Sequence, residues 1–238
     1  MEKKGDDLSL EPLVEGIVQA VRLILSGDPE LVEITLRSLH VSFQALLMAS
    51  IVGIPLGTVI GLKQFPGRKL VKTIFSTLIG MPTVALGLIL YLFLSNSGPL
   101  GSLHLLYTVQ GISLGQALLI LPIVVSFSVS AIEAQDARLR DLARTLGASE
   151  LDTVVTVLQE SSNGIILALV AAFNRAFAEL GLAMMLGANI SSLTRVLTTT
   201  IALESAKPNI SLSLALSIIL IAVIFALNAL VNVLRRDV

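Results

Sequence analysis

Five stretches of this chain are each long and apolar enough to cross a lipid bilayer, and nothing else limits its fold as strongly. They lie near residues 34–62, 70–94, 108–132, 164–186 and 210–234. A spanning helix needs about 20 mainly apolar residues, and inside lipid every backbone N–H and C=O must find its partner within the protein. Only 14% of the 238 residues are charged, and 54% are apolar; a soluble domain carries roughly 25% charged residues. The expected fold is an all-α integral membrane protein with about five transmembrane helices and little mass outside the bilayer.

Glycine and proline punctuate these stretches. Gly53, Gly57 and Gly61 recur every four residues, a small-residue seam for close helix packing. Gly80-Met81-Pro82 and Gly87 interrupt the second stretch, and Gly111, Gly115 and Pro122 the third. Helices broken at membrane depth survive only against protein or a watery cavity; kinks that serve packing alone are the other reading. No repeat of 20–50 residues is evident, which disfavours an inverted-repeat transporter.

Ahead of the first span, Leu10, Leu13, Val14, Ile17, Val18, Val21, Ile24 and Leu25 form an apolar stripe opposite Glu11, Glu15, Gln19 and Arg22. That pattern predicts an amphipathic helix lying in the membrane interface. Gly27 ends it, and Asp28 with Pro29 supply an N-cap and first position for the next helix. Residues 1–28 thus form an N-terminal tail and interfacial helix, and 29–238 a transmembrane domain. The acidic start lacks the apolar core of a signal peptide.

Loop charges orient the chain. The first loop region carries Lys63, Arg68, Lys69 and Lys72, the second no Lys or Arg, the third Arg138, Arg140 and Arg144, and the tail Arg235 and Arg236. Positive-inside counting places loops one and three and the C-terminus in the cytoplasm, with the N-terminus and its helix outside.

The third loop, 133–160, is patterned as an elbow. Leu139, Leu142, Ala143 and Leu146 share one helical face, and Leu151, Val154, Val155 and Leu158 share another. Gly147 between them suits the left-handed residue that ends a helix, and Ser149 with Asp152 reads as the cap of the next.

Several chemistries are excluded. With no cysteine there is no thiolate site, and His40 and His104 match no metal-ligand spacing. A net charge of −1 disfavours nucleic acid as a partner. No G-x-x-x-x-G-K-[ST] loop exists to cradle ATP. Polar groups do occur within the fourth span, where Asn174, Arg175 and Glu179 sit at a depth costing about 2.5–3.5 kcal/mol for a charge facing lipid. Arg175 and Glu179, four apart, suit a pair on one helix face. Two readings stand: the pair lines an anion path, or it is a self-neutralising structural pair. Asn189, Ser191, Ser192, Thr198, Thr199 and Thr200 offer amide and hydroxyl donors to an oxyanion, though local helix bonds are the ordinary use of such hydroxyls.

Asp141-Leu142-Ala143, three residues, then Gly147 resembles the EAA–x3–G signature of ABC importer permeases. The segment Phe173 to Ile190, F-x-R-A-x-x-E-x-G followed by G-x-N-I, is similar to permeases of sulfate, molybdate and tungstate importers. Thr194-Arg195-Val196-Leu197-Thr198-Thr199 and Ile201-Ala202-Leu203-Glu204 are most similar to the tungstate type. The resemblance implies a type I ABC importer permease fold. It also implies a homodimer forming the pathway, a separate ABC ATPase subunit on the cytoplasmic side, and an extracytoplasmic oxyanion-binding protein. Asp141, Leu142, Ala143, Arg144, Gly147 and Ala148 would couple to the ATPase; Asn174, Arg175, Glu179, Asn189, Thr198 and Thr199 would line the pathway. This chain would bind no cofactor, ATP and Mg belonging to the partner, and would not be an enzyme. The cell membrane is the expected location. The alternatives are an ion-coupled secondary anion transporter, a membrane scaffold, or a permease for molybdate or sulfate.

Overall fold

The computed structural model describes residues 11–135, 149–207 and 210–234, and ten α-helices occur among them. They are α1 (Glu11–Ser26), α2 (Pro29–Leu62), α3 (Arg68–Leu78), α4 (Thr83–Leu94), α5 (Val109–Glu133), α6 (Glu150–Glu160), α7 (Ser162–Phe177), α8 (Gly181–Gly187), α9 (Leu197–Glu204) and α10 (Ser211–Leu234). The fold is all-helical. Three helices are long and apolar enough to span a membrane alone, and up to five spans exist if each bent pair counts as one.

At the centre α2 and α5 lie side by side and run parallel. A Cβ on Gly53 would stand 2.8 Å from Val124, one on Gly57 2.7 Å from Ser128, and one on Gly61 2.9 Å from Ile132. Each pair advances four residues on both helices, so the small face of α2 tracks a single row of α5. Lipid offers no hydrophobic drive between helices, so this close van der Waals approach is what joins them. Ala45 and Ala49 extend the face and are buried with Ile120 and Val124.

The interruptions expected in the third stretch do not break it. α5 continues through Gly111, Gly115 and Pro122, and Gly115 instead admits Leu182 and Leu186, whose methyls would lie 2.5–2.6 Å from a Cβ there. The second stretch does break, α3 and α4 meeting at 98° across Gly80-Met81-Pro82, but not at Gly87, through which α4 continues with Met185 packed against it. Pro82 lacks an N–H and holds extended backbone as the N-cap of α4, so helix cannot run into it from α3.

The fourth stretch differs from the single helix expected over 164–186. It divides into α7 and α8 at Ala178, Glu179 and Leu180, and α6 joins α7 at 63°. α8 fills the space between α4 and α5, where Leu182, Ala183 and Leu186 are buried with Leu86, Leu94 and Ile112.

α1 forms where its stripe predicts. Gly16 and Ala20 seat it against the start of α10, and Ser211 donates to Gln19, while Val14, Val18, Val21 and Leu25 remain exposed.

The bundle has two polar ends. One holds the 63–67 turn, the end of α5 and residues 149–161, joined by Arg68, Lys72 and Glu133 and by Gln135 to the Glu160 carbonyl. The other holds Asp28, the 95–108 connection and the 188–196 loop, joined by Arg195 to Glu30 and by Tyr107 to the Leu186 carbonyl. They are called the Gly67 end and the Gly101 end below.

Candidate translocation site

The site grows from the break between α7 and α8. Arg175 Nη1 lies 2.6 Å from Glu179 Oε2. They do not share one helix face, because α7 ends at Phe177 and Glu179 stands beyond its C-cap. The other carboxylate oxygen accepts the Leu182 amide at 3.0 Å, in the first turn of α8. The Glu179 carbonyl accepts from Thr198 Oγ1 at 2.8 Å. Glu179 is therefore a joint between α7, α8 and α9. Its side chain is 3% exposed, that of Arg175 36%. Chemically, both carboxylate oxygens are engaged, and the guanidinium keeps donors free on its open side.

The second broken span reaches the same depth. A Cβ on Gly181 would stand 2.9 Å from Val84, 3.1 Å from Thr83 Oγ1 and 3.5 Å from Glu179 Oε1. The start of α4, which has no side-chain cap, thus sits beside the joint. Two discontinuous helices meeting around a buried carboxylate fit the rule that irregular backbone at membrane depth lies against protein or a path.

The remaining pathway candidates separate. Asn189 is buried, with backbone φ of +50°, and its Oδ1 lies 2.8 Å from Thr199 Oγ1 while Nδ2 has no partner. Thr200 donates to the Val196 carbonyl and Thr199 accepts the Val196 amide, the local use of hydroxyls. Ser191 and Ser192 are exposed at the Gly101 end. Asn174 points elsewhere, toward Asn228 of α10 at 3.3 Å. The structure thus brings together Arg175, Glu179 and Thr198, pairs Asn189 with Thr199, and sets Asn174 apart.

The coupling candidates Asp141, Leu142, Ala143, Arg144, Gly147 and Ala148 lie outside the described residues. Their flanks do not. Ser149 caps α6 as predicted, in a reciprocal box with Asp152, and the Ser149 hydroxyl and amide hold the Asp152 carboxyl below the usual carboxylate range.

Arg37 was not singled out from the sequence. It stands within the first apolar stretch, donates to the carbonyls of Ser192 and Arg195 at 3.1 Å, and pairs with Glu33. Ser38 accepts the Leu197 amide at 2.7 Å. These bonds fasten the 188–196 loop to α2. The signal was available, since an arginine in an apolar span raises the same question as Arg175.

Residues 53–238 match the family described as binding-protein-dependent transport system inner membrane component. The chain belongs to that family. This permease is 40% identical over 205 residues to a probable anion ABC transporter permease protein of Haloferax volcanii, covering 84% of the permease and 88% of the relative. It is 32% identical over 228 residues to the tungstate uptake system permease protein TupB of Peptoclostridium acidaminophilum, covering 96% and 100%. A crystal structure of an amino acid ABC transporter with histidines matches with a TM-score of 0.62, covering 90% of the permease and 97% of that chain at 16% identity. At that identity the likeness concerns the fold, that of a type I ABC importer permease. Proteins of this family are transport components, not enzymes.

Proposed function

We propose that this permease forms the membrane pathway of an ATP-driven importer for a tetrahedral oxyanion, tungstate, with Arg175 as the cation that meets the anion. The observation carrying the substrate is similarity over nearly the whole chain to a tungstate uptake permease. In this reading two copies enclose the path and an ATPase docks on 133–160 at the Gly67 end, which faces the cytoplasm. A binding protein delivers the anion to the Gly101 end, and the chain sits in the cell membrane with its N-terminus outside. The cluster Lys63, Arg68, Lys69 and Lys72 at the Gly67 end supports that orientation.

Glu179 is occupied as a structural joint, so selectivity by a charged cage is not built here. A single open guanidinium gives a weak lining from which an anion can leave. The discriminating step then belongs to the binding protein. The test is ATP hydrolysis by the purified permease–ATPase complex. Tungstate-loaded binding protein should stimulate it, and equal stimulation by the unloaded form contradicts the proposal.

A further inference from the structure

A groove of about 430 Å³ runs between α3 and α5 at the Gly67 end. Lys69, Lys72, Thr73 and Ser76 of α3 line one wall, and Ser126 and Ser130 of α5 the other. Among the described residues no carboxylate lines it. None of the eleven residues of α3 is buried; Val71 and Phe75 pack, partly buried, against Ile60, Val125 and Val129, and ion pairs tie the start of the helix to the end of α5. Glu133 accepts Lys72 Nζ at 2.8 and 2.7 Å and also takes Arg68. Arg68 in turn donates to the Ile60 and Gly61 carbonyls that end α2.

Lys69 and Ser126 offer the groove uncommitted groups. Lys69 has no ion-pair partner among the described residues, and Ser126 Oγ is shielded from solvent without a hydrogen-bond partner. The described charges around it are Arg68, Lys69 and Lys72 against Glu133 alone. Ammonium and hydroxyl donors lining a cavity with Glu133 as the one acid nearby among the described residues suit an oxyanion.

We infer that this groove is a low-affinity oxyanion site on the exit side of the path, an inference that rests on the oxyanion-importer reading. Lys69 and Lys72 supply the charge and Ser126 a hydroxyl donor. Glu133 is the internal competitor: it holds Lys72 until an anion displaces it, and it keeps binding weak. An anion that must leave needs such a site, attractive enough to enter and poor enough to quit.

The measurement is equilibrium binding of tungstate to the purified permease–ATPase complex without binding protein. Lys69→Gln and Lys72→Gln should each weaken binding about tenfold, the value of one charge-assisted contact. Glu133→Gln should strengthen it, because Lys72 is then released. Lys72→Gln and Glu133→Gln break the same ion pair, so a merely structural cluster moves binding in one direction for both, or in neither. Either result overturns the site. Lys69→Gln breaks no pair and so separates binding from folding. A wild-type complex that takes up tungstate yet binds none without binding protein also overturns the site. One that takes up no tungstate, molybdate or sulfate with all its partners overturns instead the importer reading.

Discussion

Arg175 and Glu179 form a 2.6 Å ion pair across the end of a helix, the arginine in the last turn of α7 and the glutamate past its cap. The two charges consequently have unequal duties. Glu179 also accepts the Leu182 amide and anchors Thr198 through its carbonyl, whereas Arg175 is bound to Glu179 alone among the described side chains and keeps an open face.

Arg175→Ala should lower stability by about 1–3 kcal/mol, between the values for exposed and fully buried pairs, and abolish uptake. Adding Glu179→Gln removes the stranded charge while keeping an oxygen for the Leu182 amide. The double variant should therefore regain much of the thermal stability of the solubilised complex and still fail to transport. Uptake returning with stability would make the pair purely structural.

The α2–α5 seam makes a separable prediction. Gly57→Ala places a Cβ 2.7 Å from Ser128 Cβ and 3.1 Å from the Val125 carbonyl oxygen, and overpacking of this kind costs about 1–3 kcal/mol. Ser128→Gly removes the closer of the two contacts, so the pair of substitutions should unfold at a higher temperature than Gly57→Ala alone. An unchanged melting temperature for Gly57→Ala would contradict the seam.

How much was legible in the sequence depended on the range of each interaction. The seam was readable because Gly53, Gly57 and Gly61 lie on one helix at fixed spacing. So were the Ser149 cap and the break at Gly80-Met81-Pro82, both local backbone chemistry. Of the two readings of Gly111, Gly115 and Pro122, packing holds at Gly115, which admits Leu182 and Leu186; these come from a helix that sequence reasoning did not separate from α7. The break at Glu179 has no proline or left-handed glycine to announce it, and part of its stabilisation comes from Thr198, nineteen residues on. Arg37 with Ser192, and Ser38 with Leu197, bridge some 155–159 positions, which no periodicity can report.

Orientation can be read directly. A reporter inserted near Gly67 should be cytoplasmic and one after Gly101 extracytoplasmic. The reverse would place 133–160 away from ATP and end the importer reading.

Gly147→Val should uncouple transport without preventing membrane insertion, because a β-branched residue resists the positive φ that the sequence pattern leads us to expect of glycine at the end of a helix. Co-purification with the ATPase together with normal uptake would contradict this role for the 133–160 elbow.

The central claim is that this chain passes an oxyanion at the expense of ATP. It is tested most directly by tungstate uptake into proteoliposomes holding the permease, its ATPase and its binding protein. Uptake should require ATP inside the coupling compartment, disappear in Arg175→Ala, and persist when the membrane potential is collapsed. Uptake that survives without ATP and vanishes with the potential would contradict the account and identify an ion-coupled transporter.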